Sequence, residues 1–150
     1  MKFENVIKQQ RFASPLQKVV LNVLYTSNWL RDRQTEVFAG ESVTPAQFNI
    51  MRILKGSHPQ RLSPSDIKEV MLDKQPDVTR LVDKLVALGY VKRESSSEDR
   101  RRMEVWLTSA GLRKLDVLNE KVMVAASELQ GRLTAKESET LSSLLDKLRG

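Results

Sequence analysis

The stretch DVTRLVDKLVALGYVKRESSSEDRRRMEVWLTSAG, Asp77 to Gly111, contains the change of period that decides the fold. Over Asp77–Leu88 the apolar residues Val78, Leu81, Val82, Leu85 and Leu88 recur at three- and four-residue intervals, which predicts a helix with one buried face. Gly89 stands where a left-handed C-cap belongs. Beyond it the helical period is lost. Tyr90–Arg93 reads as a short strand, Ser95–Asp99 as a polar turn, and Met103–Leu107 as the returning, alternating strand. Thr108 then caps a long helix carrying Leu112, Leu115, Leu118, Val122, Ala125 and Leu129.

Upstream, Thr44-Pro45-Ala46-Gln47 is a helix start. The threonine can cap, proline suits the first helical position, and glutamine completes a capping box. Phe48, Met51, Ile53 and Leu54 are its expected buried residues. Ser63-Pro64-Ser65-Asp66 repeats the signal for a short helix with Ile67, Val70 and Met71 inward. Pro15 to Phe38 is a long helix striped by Leu16, Val19, Val20, Val23, Leu24 and Leu30. Thr134-Ala135-Lys136-Glu137 opens a last helix bearing Leu141, Leu144, Leu145 and Leu148.

The resulting order is four helices, a two-stranded hairpin and two more helices. The fold class expected is therefore mainly α with a small β-hairpin wing, a winged helix-turn-helix occupying 41–108. Residues 1–40 and 109–150 are helices surplus to that module. Their apolar stripes exceed what so small a lobe can cover, and a symmetric homodimer buries them economically. Leu16, Val20, Leu141, Leu144, Leu145 and Leu148 are the expected dimerisation residues.

The chain has 25 Lys and Arg against 19 Asp and Glu among 150 residues, a formal net charge of +6. Such a balance suits an acidic polymer or surface as partner. The face opposite the buried stripe of the predicted 77–88 helix carries Pro76, Arg80, Asp83 and Ala87, flanked by Thr79 and Lys84. A recognition helix enters the major groove with its N-terminal half, which puts Gln75, Thr79 and Arg80 near base edges and Lys84 near phosphate. The same face also reads as plain solvated surface with an Arg80–Asp83 pair. At the hairpin tip, Arg100, Arg101 and Arg102 are three adjacent cations, with Asp99 supporting them. A narrow minor groove would supply their counter-charge; an edge strand blunted by charge is the other reading.

Val78–Leu85, Gly89-Tyr90-Val91-Lys92-Arg93, Asp99-Arg100-Arg101 and Leu107-Thr108-Ser109-Ala110-Gly111, together with the Thr44–Phe48 helix start, resemble the MarR family of bacterial transcriptional regulators. The spacing of Asp99 from Leu107 matches the family's wing signature. The resemblance implies a dimeric, sequence-specific binder of double-stranded DNA, usually a repressor. Arg101 would enter the minor groove, Asp99 would hold the wing, and the terminal helices would form the dimer interface. Two recognition helices would then read a pseudo-palindrome with half-sites roughly 10 bp apart. It also implies modulation by a small aromatic ligand bound between the dimer helices and the DNA-binding lobe. The segment Leu72–Asp77, with Pro76 at the helix start, departs from the common family pattern. A winged helix that binds an acidic protein partner remains the alternative.

Other classes find no support. With no cysteine there is no disulfide, thiolate metal site or thiol sensor, and the single histidine, His58, leaves no His-pair metal site. No cofactor is expected. The glycines are isolated, so no P-loop, dinucleotide fingerprint or nucleophile elbow is present, and no enzyme is expected. Tyr25, Trp29, Phe38, Phe48 and Trp106 are expected to be core rather than pocket lining. The longest uncharged run, Val19–Leu30, is too short and polar to span a bilayer, and no signal peptide is read at the N-terminus. A cytoplasmic protein is expected.

Overall fold

The computed structural model of the chain describes residues 1–74 and 76–150. Gln75, one of the expected base-reading residues, lies outside the described residues. The elements run α1 (Phe3–Val6), α2 (Pro15–Val37), α3 (Pro45–Ser57), α4 (Pro64–Val70), α5 (Val78–Ala87), β1 (Val91–Ser95), β2 (Met103–Leu107), α6 (Ser109–Ser127) and α7 (Ala135–Arg149). No described helix is long and apolar enough to cross a membrane.

Local chemistry starts the helices where expected. Thr44 and Gln47 form a reciprocal capping box at α3, the glutamine amide oxygen accepting the Thr44 N–H at 2.9 Å. Ser63 and Asp66 do the same at α4, and Thr134 and Glu137 at α7. Pro15, Pro45 and Pro64 each occupy the first helical position, where a missing N–H costs nothing. Asp77 caps α5 by accepting the Arg80 N–H at 3.1 Å. Gly89 takes φ +76 immediately after that helix, a backbone state that few other residues tolerate. α1 carries no clear sequence signal. Its one buried side chain, Phe3, packs beside Phe12 and Tyr25.

β1 and β2 pair antiparallel, with Val91 opposite Leu107 and Arg93 opposite Val105. Leu62 exchanges two backbone hydrogen bonds with Val105, which ties the segment before α4 to the hairpin. The core gathers Ile50, Met51 and Leu54 of α3, Ile67 of α4 with Met71 just beyond it, Val78, Val82 and Leu85 of α5, Val91 and Val105 of the sheet, and Leu115 and Leu118 of α6. The helix-turn-helix, the hairpin and the first half of α6 thus share one interior.

At the start of α6 the Thr108 hydroxyl donates to the Gly89 carbonyl at 2.6 Å and accepts the Gly111 N–H at 3.0 Å. A Cβ at Gly111 would lie 2.0 Å from the Tyr90 carbonyl oxygen, so the helix can approach the hairpin only with glycine there.

Several burial expectations need correction. Val70, expected inward, is exposed. α4 ends at Val70, and the extended Met71 drops into the core in its place. Leu88 lies past the end of α5 and, like Leu112 on α6, is partly exposed rather than buried. Ile50, not singled out from sequence, is completely buried, whereas Ile53 is only partly covered. Among the aromatic residues, Phe38 and Phe48 are core and pack together at 5.2 Å. Tyr25 is exposed. Trp29 and Trp106 are half-buried under guanidinium groups, Arg33 on the first and Arg61, at 3.7 Å, on the second.

Candidate nucleic-acid interface

α5 is amphipathic because its apolar residues recur at helical spacing. Val78, Val82 and Leu85 are buried in the lobe, which forces Thr79, Arg80, Asp83 and Lys84 outward. The structure therefore exposes the described part of the expected recognition face. Arg80 and Lys84 share the wall of a cleft with Ala46, Asp73, Pro76, Asp77 and Leu81.

The Arg80–Asp83 pair of the solvated-surface reading does not form. Asp83 instead pairs with Arg93 of β1. That ion pair links the exposed face of α5 to the root of the wing, and it places an acidic side chain on this face without leaving its charge uncompensated. Arg93 was missed because its partner lies on another element. Its sequence signals were its place at the end of a short strand and in the Gly89–Arg93 motif, and neither names a partner.

The wing tip is an ordered turn. The Asp99 carboxylate accepts the Arg101 N–H at 3.0 Å, and the Asp99 carbonyl accepts the Arg102 N–H at 2.9 Å. The Arg102 carbonyl accepts the Ser96 N–H at 2.7 Å, and Ser96 is buried. Asp99 thus shapes the turn through the main chain. Arg100, Arg101 and Arg102 are all exposed, but their surroundings differ. The Arg102 guanidinium donates to the Asp66 carboxylate at 2.7 Å. Among the described residues Arg100 and Arg101 make no ion pair, and neither do Arg80 and Lys84.

Asp66 therefore carries two duties that sequence reading did not assign to one residue. It caps α4 and receives Arg102. The Ser63 main-chain N–H holds its carboxyl below the usual carboxylate range, with further contributions from the Ser63 hydroxyl and from Arg102. Asp66 is charged at neutral pH and fully able to neutralise that guanidinium.

The second candidate surface lies on the terminal helices. α2 buries no residue along 23 positions, and α7 buries none along 15. Leu16, Val20, Leu141, Leu144 and Leu148 are exposed in the single chain, and Leu145 is half-buried. Val19, Leu24 and Leu30 extend the apolar face of α2, and Val117, Met123 and Val124 expose apolar surface on α6 that the sequence reading did not single out.

The arrangement has parallels among known proteins. The sequence profile of the MarR family matches residues 42–102, the span from the turn before α3 to the wing. The transcriptional regulator PrsX of Escherichia coli is 29% identical over a 150-residue alignment covering 97% of this chain and 90% of PrsX. The crystal structure of a MarR transcription factor from Planctomyces limnophilus superposes with a TM-score of 0.69 at 33% identity, covering 91% of this chain and 98% of that one. A point mutant of MarR from Escherichia coli, solved in complex with operator DNA, superposes with a TM-score of 0.72 at 26% identity over 99% of both chains. The winged lobe, its hairpin and the flanking helices all fall within these matches, and the chain belongs to the MarR family of winged-helix transcriptional regulators.

Proposed function

We propose that the protein is a homodimeric repressor that binds a pseudo-palindromic operator in double-stranded DNA and acts in the cytoplasm. The observation that carries this reading is a set of exposed cations on one lobe that have no ion-pair partner among the described residues: Arg80 and Lys84 on α5, Arg100 and Arg101 on the wing. A winged helix lays its recognition helix in the major groove, where Arg80 can read guanine and Thr79 can meet a thymine methyl. Lys84 then faces phosphate. The wing's Arg101 enters the adjacent minor groove, and Arg100 lies against its phosphates. The likeness to MarR solved with operator DNA supports this docking.

Residues 1–40 and 109–150 form the dimerisation region around the lobe at 41–108. The occupant of their exposed apolar faces is a second copy of the chain. Leu16 and Val20 of α2 with Leu141, Leu144, Leu145 and Leu148 of α7 supply apolar surface that the single chain leaves wet. Two-fold symmetry then sets two recognition helices about one helical turn of DNA apart. On the same reading, a small aromatic ligand bound between the dimerisation helices and the lobe would change the separation of the two recognition helices and so the affinity.

Selection of bound sites from random duplex DNA by the full-length protein tests this reading. The expected result is an enriched two-fold symmetric consensus, with binding that falls steeply with salt, log K dropping about 0.9 per log unit of salt for each phosphate contact. Addition of the protein to a promoter carrying that consensus should lower transcript yield. Failure to enrich any duplex, together with binding to acidic protein, would establish the protein-interaction alternative.

A further inference from the structure

The three arginines at the wing tip are not equivalent. Arg102 reaches back to α4, where its guanidinium rests on Asp66 Oδ2 at 2.7 Å. The same oxygen accepts the Ser63 N–H at 2.8 Å, so the partner carboxylate is itself held in place. The main chain of Arg102 is fixed on both sides, through Asp99 and the buried Ser96. Beside this tie, Leu62 and Val105 join the segment before α4 to β2. Arg100 and Arg101 have no such anchor among the described residues and stay exposed.

We infer that Arg102 is a positioning residue: through Asp66 it sets the pose of the wing relative to the α4–α5 pair and makes no phosphate contact of its own. The inference rests on the DNA-binding reading above. Its physical content is a separation of roles. A half-exposed ion pair contributes little to global stability because water and salt screen it. This one, however, connects elements 36 residues apart in sequence. It is a side-chain link between the turn that carries Arg101 and the helix pair that carries Arg80. With the tie intact, both grooves are addressed by one rigid body. Without it, the wing samples poses in which Arg101 misses the minor groove. Asp66 already neutralises Arg102, so Arg102 releases no counterion from DNA, and its loss leaves the salt dependence alone.

The test uses the full-length protein and fluorescence anisotropy on a selected duplex, between about 50 and 200 mM salt. Arg102→Ala should weaken binding about tenfold, the middle of the range for coupled side-chain networks, with an unchanged salt slope. Asp66→Asn keeps an oxygen for the Ser63 cap and should weaken binding similarly, also with an unchanged slope. The double variant should bind no more weakly than either single one, because both remove the same tie. Arg101→Ala is the contrast, and should lower the slope by about 0.9. Thermal melting of all four variants should stay near wild type, which separates positioning from folding. If Arg102→Ala melts early, Asp66→Asn still decides, since it leaves the guanidinium in place.

A slope reduced in Arg102→Ala by as much as in Arg101→Ala would overturn the inference, and so would additive losses in the double variant. Tighter binding by Asp66→Asn would overturn it too, because that would show a guanidinium released to DNA. These results leave the DNA-binding reading standing. A wild-type protein that binds no duplex at all would remove both.

Discussion

α3 and α7 are similar in length and both begin with a Thr-initiated capping box, yet they end in opposite environments. α3 buries Gln47, Phe48, Ile50, Met51 and Leu54 within its own chain. α7 buries nothing, and Leu141, Leu144 and Leu148 lie exposed along it. The capping chemistry is of one kind, so caps decide where a helix starts and not what it packs against. The core that runs from Phe38 to Leu118 closes in cis. The terminal helices carry stripes that only another surface can cover. One region completes its core within the chain, and the other leaves its apolar stripes exposed.

The most severe challenge to this contrast is to charge the unfinished half. Leu144→Glu, or Leu141→Glu, should convert the proposed dimer to monomer at micromolar concentration by analytical ultracentrifugation. Operator binding should fall about 10²–10⁴-fold as two linked recognition helices become one. The lobe should keep its melting behaviour, since neither side chain enters its core. A dimer that survives would show that the exposed stripes are not its interface.

The finished half is broken by volume rather than charge. Gly111→Ala would drive a methyl against the Tyr90 carbonyl and should cost about 1–3 kcal/mol of stability by chemical denaturation. An unperturbed denaturation midpoint would show that α6 slides away from the hairpin without penalty. On the outer face of the same lobe, Arg80→Ala should cost about 1–3 kcal/mol of operator affinity and relax preference at one base pair, read by binding to single-base variants of the site. A loss that is uniform across sequences would make Arg80 a phosphate contact instead.

The smallest expected effect locates the boundary between the regions. Glu41, in the turn joining α2 to the lobe, receives Lys114 and Lys121 of α6. The hydrogen bond from Lys114, then that from Lys121, holds its carboxyl down from 4.5 to about 2. A carboxylate with a depressed folded-state pKa contributes stability above its unfolded value that is lost as acid protonates it. Folding stability should therefore fall as pH drops from about 4.5 toward about 2, and Glu41→Gln should flatten that fall. An equal acid dependence in the variant would show that the clamp does not couple the turn to α6.

Much of the lobe was legible because its signals are local. Thr44-Pro45-Ala46-Gln47 and Ser63-Pro64-Ser65-Asp66 specify helix starts within four residues, and Gly89 marks an end by its backbone alone. The outward placement of Thr79, Arg80 and Lys84 followed from the inward period of Val78, Val82 and Leu85. Two of the errors arose where a helix stops. Val70 and Leu88 fit the periodic pattern but stand at or beyond a terminus, where the pattern no longer sets direction. The electrostatic partners were illegible for a different reason. Asp83 meets Arg93 because the chain reverses at Gly89 between α5 and β1, and Asp66 meets Arg102 because the hairpin returns toward α4; no spacing rule along one helix reaches across either reversal.

The order of residues was enough to settle both strands and every helix but α1, which face of α5 turns outward and which family the chain resembles. These depend on hydrogen bonds and side-chain periods that span a few neighbouring residues. How the charges are shared emerged only in the assembled fold, with Asp66 taking Arg102 and leaving Arg100 and Arg101 exposed at the tip. Charge pairing depends on distance in space. Folding brings carboxylates and guanidinium groups to contact across separations that sequence spacing does not encode.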